Sequence, residues 1–191
     1  MQFMKNVFYV VVFIWLFFLN ADGQRHNLSK IKVLIIDGYS NHDWKQNSSL
    51  VKSILEETKR FEVAVSTAPA TVNKDSLAKW NPDFNNYDVI IQNTNNIQDT
   101  SLRCPRKVEE KLERFGSSGG GLYILHSANN AFPHWKEYDT MIGLGWRLKE
   151  SGFAIEIDSN KNIIRIPPGE GNNTSHGKRF DAQIHILNRH P

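Results

Sequence analysis

Three stretches of this sequence end an apolar run in a cluster of side chains that could do chemistry. After Ile31-Lys32-Val33-Leu34-Ile35-Ile36 come Asp37, Tyr39, Asn41, His42, Asp43 and Trp44. After Tyr87-Asp88-Val89-Ile90-Ile91-Gln92 come Asn93, Asn95 and Asn96. After Leu122-Tyr123-Ile124-Leu125 come His126, Ser127, Asn129 and Asn130, with Phe132, His134 and Trp135 just beyond. Carboxamides are neutral donors and acceptors, and Trp and Tyr offer flat apolar faces. That combination suits sugar hydroxyls and the CH face of a sugar ring. His126 and His42 are the expected catalytic residues, because only imidazole titrates near neutrality without perturbation. Asp37, Tyr39, Asp43, Trp44, Asn93, Asn95, Ser127, Asn129 and Trp135 are the expected substrate-binding set. The competing role for the asparagines is to cap helices and turns, where Asn is favoured without any ligand.

Other chemistries fit less well. His42, Asp43, His126 and His134 offer a mixed nitrogen and oxygen set that zinc or a harder divalent ion accepts. Metal-dependent hydrolysis is therefore an alternative, but no His-Glu-x-x-His run exists and no cofactor is expected. His176, His185 and His190 lie in later segments and read as surface histidines. Gly119-Gly120-Gly121 precedes a strand instead of opening a helix, so it makes no helix N-terminal phosphate cradle. The lone Cys104 excludes an internal disulfide framework and a cysteine-built zinc site, and reads as a half-buried thiol on a helix.

The elements that must position these clusters follow from periodicity. Ile31 to Ile36 is a β-branched run expected to be buried on both faces, as in a parallel sheet. Ser48 to Thr58 carries Leu50, Val51, Ile54 and Leu55 at helical spacing, and Phe61 to Ser66 alternates as a second strand. Tyr87 to Gln92 is a third strand, joined to the second by a loop. Val108, Leu112 and Phe115 mark an amphipathic helix that the three glycines end. Leu122 to Leu125 is a fourth strand. This order predicts a doubly wound, mostly parallel α/β sheet. Phe153–Asp158 and Ile163–Ile166 flank a turn and read as an added β-hairpin, and Asp181–Leu187 alternates as a last strand.

Lys5 precedes thirteen unbroken apolar residues, Val7 to Leu19, followed by Ala21 and Gly23 as a small-x-small pair. This is the pattern of a secretory signal peptide over residues 1–23, with the mature chain beginning near Gln24. Thirteen helical residues span roughly 20 Å, short of the ~30 Å hydrocarbon core, so stable membrane insertion after cleavage is not expected. A secreted or periplasmic protein follows, with Asn27, Asn47, Asn172 and Asn173 as formal glycosylation acceptors. The chain has 23 Lys+Arg and 20 Asp+Glu, a formal charge of +3. So small a surplus excludes a basic nucleic-acid arm. A small sugar or glycoside is the expected partner.

The same residues resemble the trehalose-utilisation (ThuA-like) family. The likeness is carried by Lys32 to Gly38 with His42-Asp43-Trp44, by Tyr87 to Ile91, and by Gly119-Gly120-Gly121-Leu122-Tyr123-Ile124-Leu125-His126-Ser127-Ala128-Asn129-Asn130-Ala131-Phe132. Trp135, Glu137-Tyr138 and Ile142-Gly143 continue it. The resemblance covers residues 31 to 191 and implies a flavodoxin-like fold of the class I glutamine amidotransferase superfamily, linked to carbohydrate catabolism. In amidotransferases a cysteine nucleophile follows the equivalent strand. Here that position is His126, so thioester glutaminase chemistry is not expected, and Ser127 has no triad order that would make it a substitute. A non-catalytic sugar-binding module is the second alternative. Members of this family continue past His190-Pro191, which reads as a C-terminal truncation within a ThuA-like domain of residues 24–191.

Overall fold

The computed structural model describes residues 29–69, 74–97, 99–178 and 181. The expected leader over residues 1–23 and the expected strand Asp181–Leu187, apart from Asp181, lie outside the described residues. His185 and His190 lie outside them too.

Strand β1 (Ile31–Asp37) pairs in parallel with β2 (Phe61–Thr67) on one side and β3 (Val89–Gln92) on the other. Strand β4 (Gly121–Ile124) adds in parallel to β3, giving the order β2-β1-β3-β4. This is the flavodoxin-like order, with its reversal between β1 and β3. β1 is buried on both faces, as its composition predicts. Val33 and Ile35 face a layer with Val63 and Ile91, against which Val51 and Leu55 of α1 (Trp44–Glu57) pack. Leu34 and Ile36 face the other layer. There they meet Ile90, Phe84 and the stripe Val108, Leu112 and Phe115 of α3 (Arg106–Ser117).

Several elements differ from expectation for local reasons. Helix α1 starts at Trp44, before Ser48, because the Asp43 side chain accepts from the Gln46 amide at 3.0 Å and caps it. Only one edge of its apolar face meets the sheet, so Leu50 and Ile54 remain exposed. The expected loop between β2 and β3 contains a short helix, α2 (Lys74–Lys79). A 3-10 turn over His126–Asn130 and the helix α4 (Lys136–Ile142) follow β4. The hairpin forms as expected, β5 (Ala154–Ile157) against β6 (Ile163–Ile166).

Cys104 is not on a helix. It sits just before α3, where Pro105 takes the N-cap position and biases the preceding residue out of helical backbone. It packs into the buried cluster of α3, and burial pushes its thiol well above the ordinary value. In native protein at pH 8, a thiol reagent is expected to leave Cys104 unlabelled, with full labelling on denaturation; rapid native labelling would contradict this packing.

Two glycines do necessary work. Gly119 has φ +91, and the amides of Gly119 and Gly120 return to the carbonyls of Gly116 and Phe115, each at 3.0 Å, closing α3. Gly38, directly after β1, has φ +130, and a Cβ there would fall 2.2 Å from the backbone oxygen of Ala68. Gly38→Ala is therefore expected to lower stability by about 3 kcal/mol or more. Gly119→Ala has open space around it, and is expected to cost only about 1 kcal/mol. Denaturant midpoints of the two variants check the contrast.

Candidate functional site

The carboxyl ends of β1, β3 and β4 lie side by side, where an open α/β sheet leaves its crevice. His42 arrives from the loop after β1 and His126 from the turn after β4. Their rings meet edge to face, centroids 4.8 Å apart and planes at 62°, and both residues are exposed. In the same two loops the hydroxyls of Ser40 and Ser127 lie 3.4 Å apart, and Ser40 Oγ accepts from the His42 amide at 3.2 Å.

The other expected site residues divide by what already occupies them. Asp43 spends a carboxylate oxygen on the α1 cap. Trp44 opens α1 half-buried, with the Lys45 ammonium 5.3 Å from its ring centroid. Asn93 is buried, and its amide nitrogen donates to Trp44 O at 3.1 Å and Ser48 Oγ at 3.0 Å. Asn95 donates to Asn41 Oδ1 at 2.9 Å and accepts from the Ile97 amide at 2.8 Å. These asparagines brace loops, as the capping alternative anticipated. Ser127 is buried, and Asn129 is half-buried with its side chain unbonded among the described residues.

Trp135 lies in the core instead of on the rim, and Tyr39 is half-buried against that core. Trp135 is 5% exposed, stacks on Tyr138 and donates to Glu113 Oε1 at 2.8 Å. Tyr39 packs on the same cluster and bonds Thr94, and desolvation raises its phenol far above the usual range. Asp37 is 2% exposed at the end of β1. Among the described residues its Oδ1, Gln92 Oε1 and Asn130 Oδ1 are the buried side-chain oxygens without a partner. All three close a strand or the turn at this rim, and each such acceptor costs about 1–3 kcal/mol. Among the described residues no three His, Cys, Asp or Glu gather in reach of one metal ion. Asp43 is turned into the helix cap, and His134 lines a separate hollow with Arg103 and Glu137.

The segment carrying His126 is strained at both ends. His126 has φ +43 and Phe132 φ +52, a region costly for any residue with a Cβ. Side chains from elsewhere hold it. Tyr138 donates to Ala128 O at 2.9 Å, and Asn96 accepts from the Phe132 amide at 2.8 Å. Arg147 contributes most. Its guanidinium donates to Asn129 O and Ala131 O at 2.9 Å, to Trp146 O at 3.0 Å, and twice to Asp139 Oδ1 at 3.0 and 2.5 Å. All five N–H donors are spent. Arg147, Asp139 and Tyr138 escaped the reading of the sequence as site residues. The available signal was a single arginine in the glycine-rich apolar run Gly143-Leu144-Gly145-Trp146-Arg147-Leu148.

Arg147→Met leaves the Ala131 carbonyl without a donor among the described residues and the Asn129 carbonyl with the Trp146 amide alone, and is expected to cost about 3 kcal/mol in a denaturation experiment. Arg147→Lys keeps a charge for Asp139 but cannot fork to both carbonyls, and should fall between the two. Equal stability of all three proteins would refute the clamp.

Residues 32–185 match the family model ThuA, trehalose utilisation. No curated protein matches the chain. Among solved structures, that of a ThuA-like protein from Parabacteroides merdae ATCC 43184 is similar, with a TM-score of 0.64 and 26% identity over 72% of this chain. The aligned part makes up 47% of that protein, so this chain spans about half its length. With the sheet order, these matches establish that the chain belongs to the trehalose-utilisation, ThuA-like family.

Proposed function

We propose that this chain is an exported enzyme, or enzyme component, that acts on a sugar or glycoside, with His126 and His42 exchanging protons with a hydroxyl or a glycosidic oxygen. The observation that carries the reading is the paired imidazoles at the sheet's switch point, one of them on a strained turn. A non-glycine residue held at positive φ two residues past the end of a strand resembles the elbow that lifts a nucleophile clear of a sheet. Here the lifted group is an imidazole, which accepts or donates a proton and needs no thiol. Edge-to-face contact lets one ring orient the other. Family membership supports carbohydrate as the substrate, and the leader pattern at Lys5 and Val7–Leu19 supports export.

His126→Asn keeps a residue that tolerates the left-handed backbone while removing the proton-transfer group. Purified full chain is expected to convert a disaccharide or an oxidised sugar, followed by NMR of the products. His126→Asn and His42→Ala should each lower the rate by about 100-fold or more with the denaturation midpoint little changed. Sugar binding by wild type with no product in any assay would favour the non-catalytic module. Neither binding nor product would end the carbohydrate reading.

A further inference from the structure

We infer that the outward face of the hairpin β5–β6, continued by Leu144 and Leu148, is the surface on which two copies of this chain pack together. In the ladder Ile157 lies opposite Ile163, and Ile155 opposite Arg165. Side chains alternate across a strand, so these four share one face with Phe153. The Arg165 guanidinium stands 4.6 Å from the centre of the Phe153 ring, as that arrangement requires. The opposite face turns toward the chain's own loop. Ala154 and Ile166 are half-buried there, and an added Cβ on Gly171 would lie 3.1 Å from Ile166 Cγ2.

Three observations carry the assignment. The first is exposure. Ile157 and Ile163 are each 71% exposed, Phe153 57% and Ile155 52%. Among the described residues none of β5 or β6 joins either core cluster. A two-stranded ribbon is marginal in water unless a third strand or a packed apolar face supports it. The outward side chains are the ones placed to give that support.

The second is area. Leu144 and Leu148, each 65% exposed, line the same hollow as Phe153 and Ile155, so the six side chains form one continuous patch. From ordinary side-chain areas this patch leaves roughly 500 Å² of apolar surface in water. That lies in the upper part of the range for the largest patch on a monomer, about 300–600 Å². A polar rim around it brings the total toward the ~800 Å² that each partner gives to a standard interface.

The third is charge. Arg165 is the charged side chain of β5 and β6 on the outward face, and it is turned onto Phe153. Near the patch the signs are mixed, with Lys149 beside Glu150 and Lys161 close to Asp158 in the sequence. An anionic membrane or a nucleic acid calls for a cationic surplus, and none is concentrated here. A second copy instead brings the same neutral, apolar face, and two-fold symmetry sets that face against itself in a closed pair. Ribbons stacked face to face lie about 10 Å apart, a spacing at which Ile155, Ile157 and Ile163 interdigitate with their counterparts.

Sedimentation equilibrium of the full chain between about 1 and 100 μM tests the interface. Wild type should form a closed dimer with a dissociation constant of about 10 μM or lower. Ile157→Glu and Ile163→Glu, both away from the core clusters, should each weaken the dimer by about 100-fold or more with the circular dichroism spectrum unchanged. Leu50→Glu, at an exposed apolar position on α1, should leave the dimer intact. Hydrogen exchange of wild type needs no variant, and the amides of β5 and β6 should exchange more slowly as protein concentration rises. A wild type that stays monomeric throughout overturns the inference, and the face is then covered by another protein or by another segment of this chain. A dimer that survives both glutamate variants, or that Leu50→Glu dissociates, places the contact elsewhere and overturns it too. So does open-ended association in place of a closed pair.

Discussion

Burial of β1 on both faces is the constraint from which the rest of the architecture follows. Val33, Ile35, Leu34 and Ile36 each contribute roughly 1.5–3 kcal/mol by leaving water, and they alternate between two layers. That gain requires a helix layer on each side and a hydrogen-bonded strand at each edge. Parallel pairing with β2 and β3 then sends the chain out of every strand at the same edge. His42 and His126 meet there because Ile36, Gln92 and Ile124 stand in register across three strands, so the loops that follow begin level.

The region after β4 is a balance between strain and bracing. Two non-glycine residues at positive φ cost roughly 1–3 kcal/mol each, an outlay that local sequence does nothing to recover. Neutral hydrogen bonds from Tyr138 and Asn96 return roughly 0.5–1.5 kcal/mol apiece, and those from a guanidinium about 1.5–3. The two sides are of similar size. The turn is therefore held, not relaxed, and what it gains is an imidazole standing clear of the sheet beside a second one.

The sheet was legible because its signals are local. A β-branched run, an alternating run and an amphipathic stripe each imply one element, and β1, β2, β3, β4 and α3 follow from them, as does the parallel order. What could not be read depends on contacts distant in sequence. Trp135 is followed by polar residues and looks like a ligand platform, yet its indole is buried against Tyr138 because α4 folds back over α3. Arg147 carries no periodicity, and its role exists only once the carbonyls of Asn129 and Ala131 are turned toward it. The start of α1 was misjudged because Asp43 looked like a ligand when it was also a cap. Residue type marked the rim correctly, but not which groups the fold would use up in building it.

The asparagines after β3 show how the two kinds of role combine. β3 lies between β1 and β4, and its carboxamides reach to both neighbours. Asn93 holds the first turn of α1 through Trp44 O and Ser48, and Asn95 holds Asn41, next to His42. On the other side Asn96 holds the amide of Phe132, at the far end of the segment that His126 begins. These amides are spent, so they contribute little to ligand contact. They instead fix the spacing between the two histidine-bearing loops from the strand between them. A carboxamide can do this where a carboxylate cannot, since Asn93 and Asn95 donate to the His42 side and Asn96 accepts from the Phe132 amide while donating to Leu102 O, all without bringing a buried charge. The polar character of the β3 loop is thus a requirement of the histidine pair.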